Sequence, residues 1–160
     1  MSGPSPARPS MPIGRILAVD PGEKRIGLAI SDPTGTIASP LGVLKHTARA
    51  EDAAAIARMA AQHEAVQIVV GEALDDEGYP TPQARHARRL AEAIRQQTAL
   101  PVVLWDESGS TKTAQAARRA MGVARRKRSG HLDEIAAVVI LQSYLDASRP
   151  PSYSLIESQE

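Results

Sequence analysis

Three acidic residues sit where a chain can bring carboxylates together. Asp20 follows the apolar run Ile16–Val19, Glu107 follows the strand-like segment Pro101–Trp105, and Asp133 begins the last apolar periodic stretch. Acids at strand ends and helix starts can converge at one edge of a sheet. Their oxygens are hard ligands for divalent cations, and two cations about 3.5–4 Å apart can activate water and stabilise the leaving oxygen of a phosphodiester. Each acid also has a purely structural explanation. Asp20 before Pro21-Gly22 is a common turn residue, Asp133 is a good helix N-cap, and Glu107 can simply be solvated. Spacing alone leaves both explanations open.

The cations are unevenly spread. The chain has a formal net charge of +1, which gives no strong global field for a polyanion. Yet Lys112, Arg118, Arg119, Arg125, Arg126, Lys127 and Arg128 are uninterrupted by any acid. Such a patch can neutralise phosphates locally, or it can be a solvated helix face followed by a basic loop. His131, two residues before Asp133, reads as a loop histidine, with proton transfer as its alternative role. Trp105, ending an apolar strand, reads as core. The other aromatics are Tyr79, Tyr144 and Tyr153, too few for a multi-base stacking platform, so recognition should rest on backbone and shape.

Composition removes several classes. The absence of Cys excludes disulfide scaffolds, thiolate zinc sites and cysteine nucleophiles. No apolar run reaches the roughly 18 residues of a membrane span, and the Pro- and Ser-rich start lacks the apolar stretch of a secretory signal. The expectation is a cytoplasmic protein with tails at about 1–12 and 148–160 around one domain, 13–147. At 160 residues a second core would be starved of apolar surface. Without Phe, the core must come from Val, Ile, Leu and Ala.

The elements that must hold the acids are readable from periodicity. Arg15–Asp20 and Arg25–Ser31 read as an antiparallel hairpin around Pro21-Gly22, and Thr36–Ala38 with Gly42–Leu44 as a third strand. Ala50–His63 reads as a helix burying Ala53, Ile56, Ala57, Ala60 and Ala61, and Val66–Gly71 as a buried strand. A helix over about Pro82–Gln97 with Ala84, Ala87, Leu90, Ala91 and Ile94 inward precedes the strand Pro101–Trp105. Helices over Thr111–Met121 and Asp133–Leu145 follow, the latter with Ile135, Ala136, Val139, Ile140 and Tyr144 inward. The order βββ-α-β-α-β-α-α is a mixed α/β layer fold.

Local motifs add to this. The stretch from Asp20-Pro21-Gly22-Glu23-Lys24-Arg25-Ile26-Gly27 to Ser31-Asp32 closely resembles the N-terminal motif of the YqgF (RuvX) family. Val69-Val70-Gly71 with Gly78 follows in order. Asp106-Glu107 with Ser110-Thr111 and Ala114 resembles the second acidic motif of that family. Arg126-Lys127, Asp133 with Ala136-Ala137, and Ile140-Leu141-Gln142-Ser143-Tyr144-Leu145 resemble the C-terminal one. The resemblance covers about Ile13 to Ala147. It implies an RNase H-like fold, a five-stranded mixed sheet flanked by helices. It also implies a Mg²⁺- or Mn²⁺-dependent nuclease that matures the 5′ end of precursor 16S rRNA, with branched DNA and ribosomal particles as further partners. Carried over by motif, Asp20, Glu107 and Asp133 are the catalytic metal ligands, and Lys24 and Arg25 are phosphate contacts unless they form a solvated hairpin tip. Lys112, Arg125, Arg126, Lys127 and Arg128 complete the expected nucleic-acid surface. Thr111 reads as a helix cap.

Two segments depart from the family pattern. Ser108-Gly109 stands where Arg-Leu is usual, and Glu72-Ala73 where Leu-Pro is usual; Glu72 reads as a solvated strand-end acid rather than a further site carboxylate. The departure beside Glu107 supports a second reading, a non-catalytic nucleic-acid-binding module of the same fold. A third, an ATP-handling enzyme of the actin and sugar-kinase type, lacks the second phosphate loop and the adenosine motif that fold needs. Gly22 and Gly27 have P-loop-like spacing, but no Lys-Ser/Thr follows.

Overall fold

The computed structural model describes residues 14–106 and 131–148. β1 (Arg15–Pro21), β2 (Arg25–Ser31), β3 (Ala38–Lys45), β4 (Ala65–Glu72) and β5 (Val102–Asp106) form one sheet in the order β3-β2-β1-β4-β5. β1 pairs antiparallel with β2, and β2 with β3; β1 pairs parallel with β4, and β4 with β5. The five-stranded mixed sheet stands as expected. α1 (Arg49–Gln62) and α2 (Pro82–Arg95) are the crossover helices, and α3 (His131–Ser148) is the last described element. No helix among the described residues is long and apolar enough to cross a membrane.

Why β1 is central follows from its sequence. Ile16, Leu17, Ala18 and Val19 are all fully buried, as an unbroken apolar run requires of a strand covered on both faces. Leu17 and Val19 pack with Ile26, Leu28, Ile68 and Val70 under Ile56 of α1 and Leu90 and Ile94 of α2. Ile16 and Ala18 pack with Ala29 and Val69 under Ala137, Ile140, Leu141 and Leu145 of α3. Burying each of these larger side chains contributes about 1.5–3 kcal/mol before the entropy of ordering is subtracted.

The turns are held by short polar devices. A Cβ on Gly22 would lie 2.3 Å from the Arg25 carbonyl oxygen, so the tight β1–β2 turn admits only glycine there. Asp32 accepts from the backbone N–H groups of Thr34, Thr36 and Ile37 and from the Thr34 hydroxyl, which holds its carboxyl well below the usual carboxylate range. Thr36 and Ile37 therefore belong to the turn, not to the third strand. That strand runs unbroken over Ala38–Lys45, with an irregularity opposite Leu28 and Ala29 where Pro40 sits. Thr81 caps α2 by accepting from the Ala84 N–H, with Pro82 opening the helix.

Two helical faces differ from expectation. In α1, Ala61 is exposed, and the stripe is completed by Asp52. In α3 the fully buried positions are Ala137, Ile140, Leu141 and Leu145; Ile135, Ala136 and Val139 are only half-buried. α3 also begins before Asp133, which sits inside the helix rather than at its cap. The helix expected over Thr111–Met121 lies outside the described residues.

Candidate active site

Asp20 lies one residue before the end of β1, half-buried, opposite Gly27 of β2. Side chains alternate along a strand, so Asp20 continues the face of Ile16 and Ala18, the face that α3 covers. On the other side of β1, Val19 pairs with Val70, which sets Asp20 beside Gly71 of β4. A Cβ on Gly71 would lie 2.6 Å from Cδ1 of Ile140, so the missing side chain lets α3 press onto the sheet next to Asp20. The helix α3, whose first turn includes position 133, lays Ala137 and Ile140 on that same face of the sheet. The fold thus brings the Asp20 strand end and the helix carrying Asp133 to one face of the sheet. Glu107 lies outside the described residues, as do Lys112, Arg125, Arg126, Lys127 and Arg128. The donor set expected from the sequence, Asp20, Glu107 and Asp133, would offer only carboxylate oxygens, which suits a hard divalent cation such as Mg²⁺ or Mn²⁺. Asp20 itself stands at a strand end, half-buried rather than enclosed.

Glu72 corrects the sequence reading. It is buried rather than solvated, and alternation puts it on the α1–α2 face, opposite to Asp20. There Arg88 of α2 donates to it through Nε at 2.8 Å. The pair locks α2 to the end of β4, whose neighbour in β5 at that level is Asp106. Nothing local to Glu72 reveals its partner, which is 16 residues away; the usable signal is that Arg88 borders the Ala84, Ala87, Leu90 and Ala91 stripe. Trp105 behaves as expected, packing edge-on against Tyr144 with ring centroids 5.3 Å apart and donating to the Ser143 hydroxyl.

Lys24 and Arg25 are exposed at the β1–β2 tip. Arg25 pairs with Lys45 of β3, and the His46 N–H donates to the Lys24 carbonyl. Next to them is a cluster that periodicity did not single out. Asp52 of α1 is 4% exposed, and its carboxylate takes the His46 Nδ1 and the backbone N–H of Thr47. His86 of α2 stands edge-on to His46. Burial, with the nearby positive charge of His46, Arg49 and Arg89, pushes the His86 pKa below its usual value.

The family model described as "RuvX: Holliday junction resolvase" matches residues 14–147. A protein of Myxococcus xanthus (strain DK1622) named "Putative pre-16S rRNA nuclease" is 37% identical over 137 residues, covering 86% of this chain and 91% of that protein. A protein of the same name from Anaeromyxobacter sp. (strain Fw109-5) is 41% identical over 132 residues, covering 82% and 96%. Among solved structures, Thermus thermophilus RuvC in complex with a Holliday junction substrate aligns with a TM-score of 0.56 at 18% identity, covering 84% of this chain and 94% of that one. At that identity the likeness concerns the fold, and it matches the mixed sheet and flanking helices described above.

Proposed function

The chain belongs to the RuvX family, and from that premise we propose that it is a metal-dependent nuclease acting on precursor 16S rRNA in maturation of its 5′ end. The observation that carries this reading is the near full-length likeness to relatives named as pre-16S rRNA nucleases. The geometry around Asp20 supports it, since the strand end and the α3 stripe share one face of the sheet.

In this reading Asp20, Glu107 and Asp133 hold the metal. Held by these carboxylates, Mg²⁺ or Mn²⁺ would supply Lewis-acid chemistry for phosphodiester hydrolysis. The chain's own part is positioning. Asp20 is fixed by its place between paired strands β2 and β4, and Gly71 keeps α3 close enough to share the site. Lys24 and Arg25 hold backbone phosphates without reading sequence. The scarcity of aromatic residues favours recognition of shape and backbone over stacked bases.

The test is cleavage of precursor 16S rRNA and of a four-way DNA junction, each with Mg²⁺ or Mn²⁺. Asp20→Asn preserves size and should lower the rate by at least about 100-fold, since a lost metal ligand removes several kcal/mol of charge stabilisation. An unchanged melting curve would show that the fold survives. Full cleavage by that variant would remove Asp20 from the site. Cleavage of the junction alone would make branched DNA the substrate, the activity in the family's description. Binding without cleavage under either metal would leave a nucleic-acid-binding module.

A further inference from the structure

Beside the Asp20 edge lies a groove of about 670 Å³ lined by Glu23, Lys24, Arg25, Val43, Lys45 and His46. We propose that this groove is a second phosphate-contact site, in which Lys45 and His46 join Arg25 to hold the nucleic-acid backbone a few nucleotides from the scissile bond. The proposal rests on the nuclease reading and extends it to residues outside the motifs.

Strand register places the groove. Arg25 pairs with Lys45, and Gly27 lies opposite both Asp20 and Val43. Partners in antiparallel pairs share a face, so Arg25, Val43 and Lys45 stand on the same face as Asp20. Lys45 is two strands across and two residues along from Asp20, roughly 12 Å away by ordinary sheet spacings. That span is longer than one phosphate and matches a few nucleotides of a bound strand. A polymer with regularly spaced charges fits this separation, whereas a lone anion could not reach both places.

Charge points the same way. Lys24, Arg25 and Lys45 against Glu23 leave the lining at a net +2 with His46 neutral, twice the formal charge of the whole chain. His46 is held for such a contact. The buried Asp52 carboxylate engages its Nδ1, and the backbone of the next residue is fastened to the same carboxylate. The ring is thereby fixed where it lines the groove.

The experiment measures fluorescence anisotropy of a labelled RNA stem–loop with a 5′ single-stranded extension, and of a labelled DNA four-way junction. EDTA is present so that binding is read without cleavage. Lys45→Ala and His46→Asn are compared with wild type across a salt series; Asn retains a donor toward Asp52 and removes the second ring nitrogen. Each should weaken binding about three- to tenfold, and Lys45→Ala should lower the slope of log Kd against log salt by about 1. Arg58→Ala, on the exposed side of α1, should change neither. The probe that shows the loss identifies the polymer. Wild-type affinity and slope in both groove variants, with wild type binding normally, would overturn this proposal and leave the nuclease reading standing. Wild-type protein that binds neither probe would overturn both.

Discussion

At the scale of single residues, the absence of a side chain at Gly71 matters as much as the presence of one at Asp20. A methyl group at Gly71 would enter the space of Ile140, which is 2% exposed and hemmed in by the β1–β4 face. Gly71→Ala should therefore destabilise the fold by about 1–2 kcal/mol through overpacking. Adding Ile140→Val, which removes the Cδ1 in the way, should restore part of that loss in a double-mutant cycle read by urea denaturation. Simple addition of the two single-variant costs would show that the contact is not the cause. Residues of this kind are unevenly legible in sequence. Asp20 and Gly71 stand out because both lie in ordered local motifs. Glu72 does not, because its burial depends on an arginine brought in by a different element, and chain-local chemistry holds no trace of that meeting.

At the scale of elements, α1 begins without a side-chain cap, since Ala48 occupies the N-cap position. Asp52 takes over by reaching back to Thr47 and His46, and so ties the end of β3 to the first turn of α1. Asp52→Ala should cost about 0.5–1.5 kcal/mol, the net worth of hydrogen bonds from donors that water can still reach, and thermal melts would read it. A loss well under that range would mean that water replaces the carboxylate at no cost. β1 and β4 are readable as short apolar runs closed by turn residues, and α2 because its apolar residues recur every third or fourth position. The inward face of α3 is not. Its run from Ile135 to Leu141 is apolar without a break, so no polar residue marks an outer side and only the sheet decides which positions are covered. The third strand was read as two pieces because Pro40 interrupts its pattern, although an irregular register on the sheet margin absorbs a proline.

At the scale of the whole molecule, β1 contributes to both apolar clusters, with Leu17 and Val19 on one face and Ile16 and Ala18 on the other. Neither layer can be removed without exposing the strand the other depends on, so the two should melt together. Trp105, the one tryptophan, packs on the α3 side and reports that layer alone. Urea unfolding followed by its fluorescence should superimpose on the far-ultraviolet dichroism curve, with a single midpoint. An earlier fluorescence midpoint would mean that α3 detaches before the rest. The margin of the sheet has a further consequence. Among the described residues β3 pairs with β2 alone, and it carries Pro40, which has no N–H to donate, next to an irregular register and an exposed lysine at its end. Such a border is a poor template for an added strand, so crowding many copies together, as in concentrated stock or overexpression, should not nucleate ribbon-like aggregates along β3.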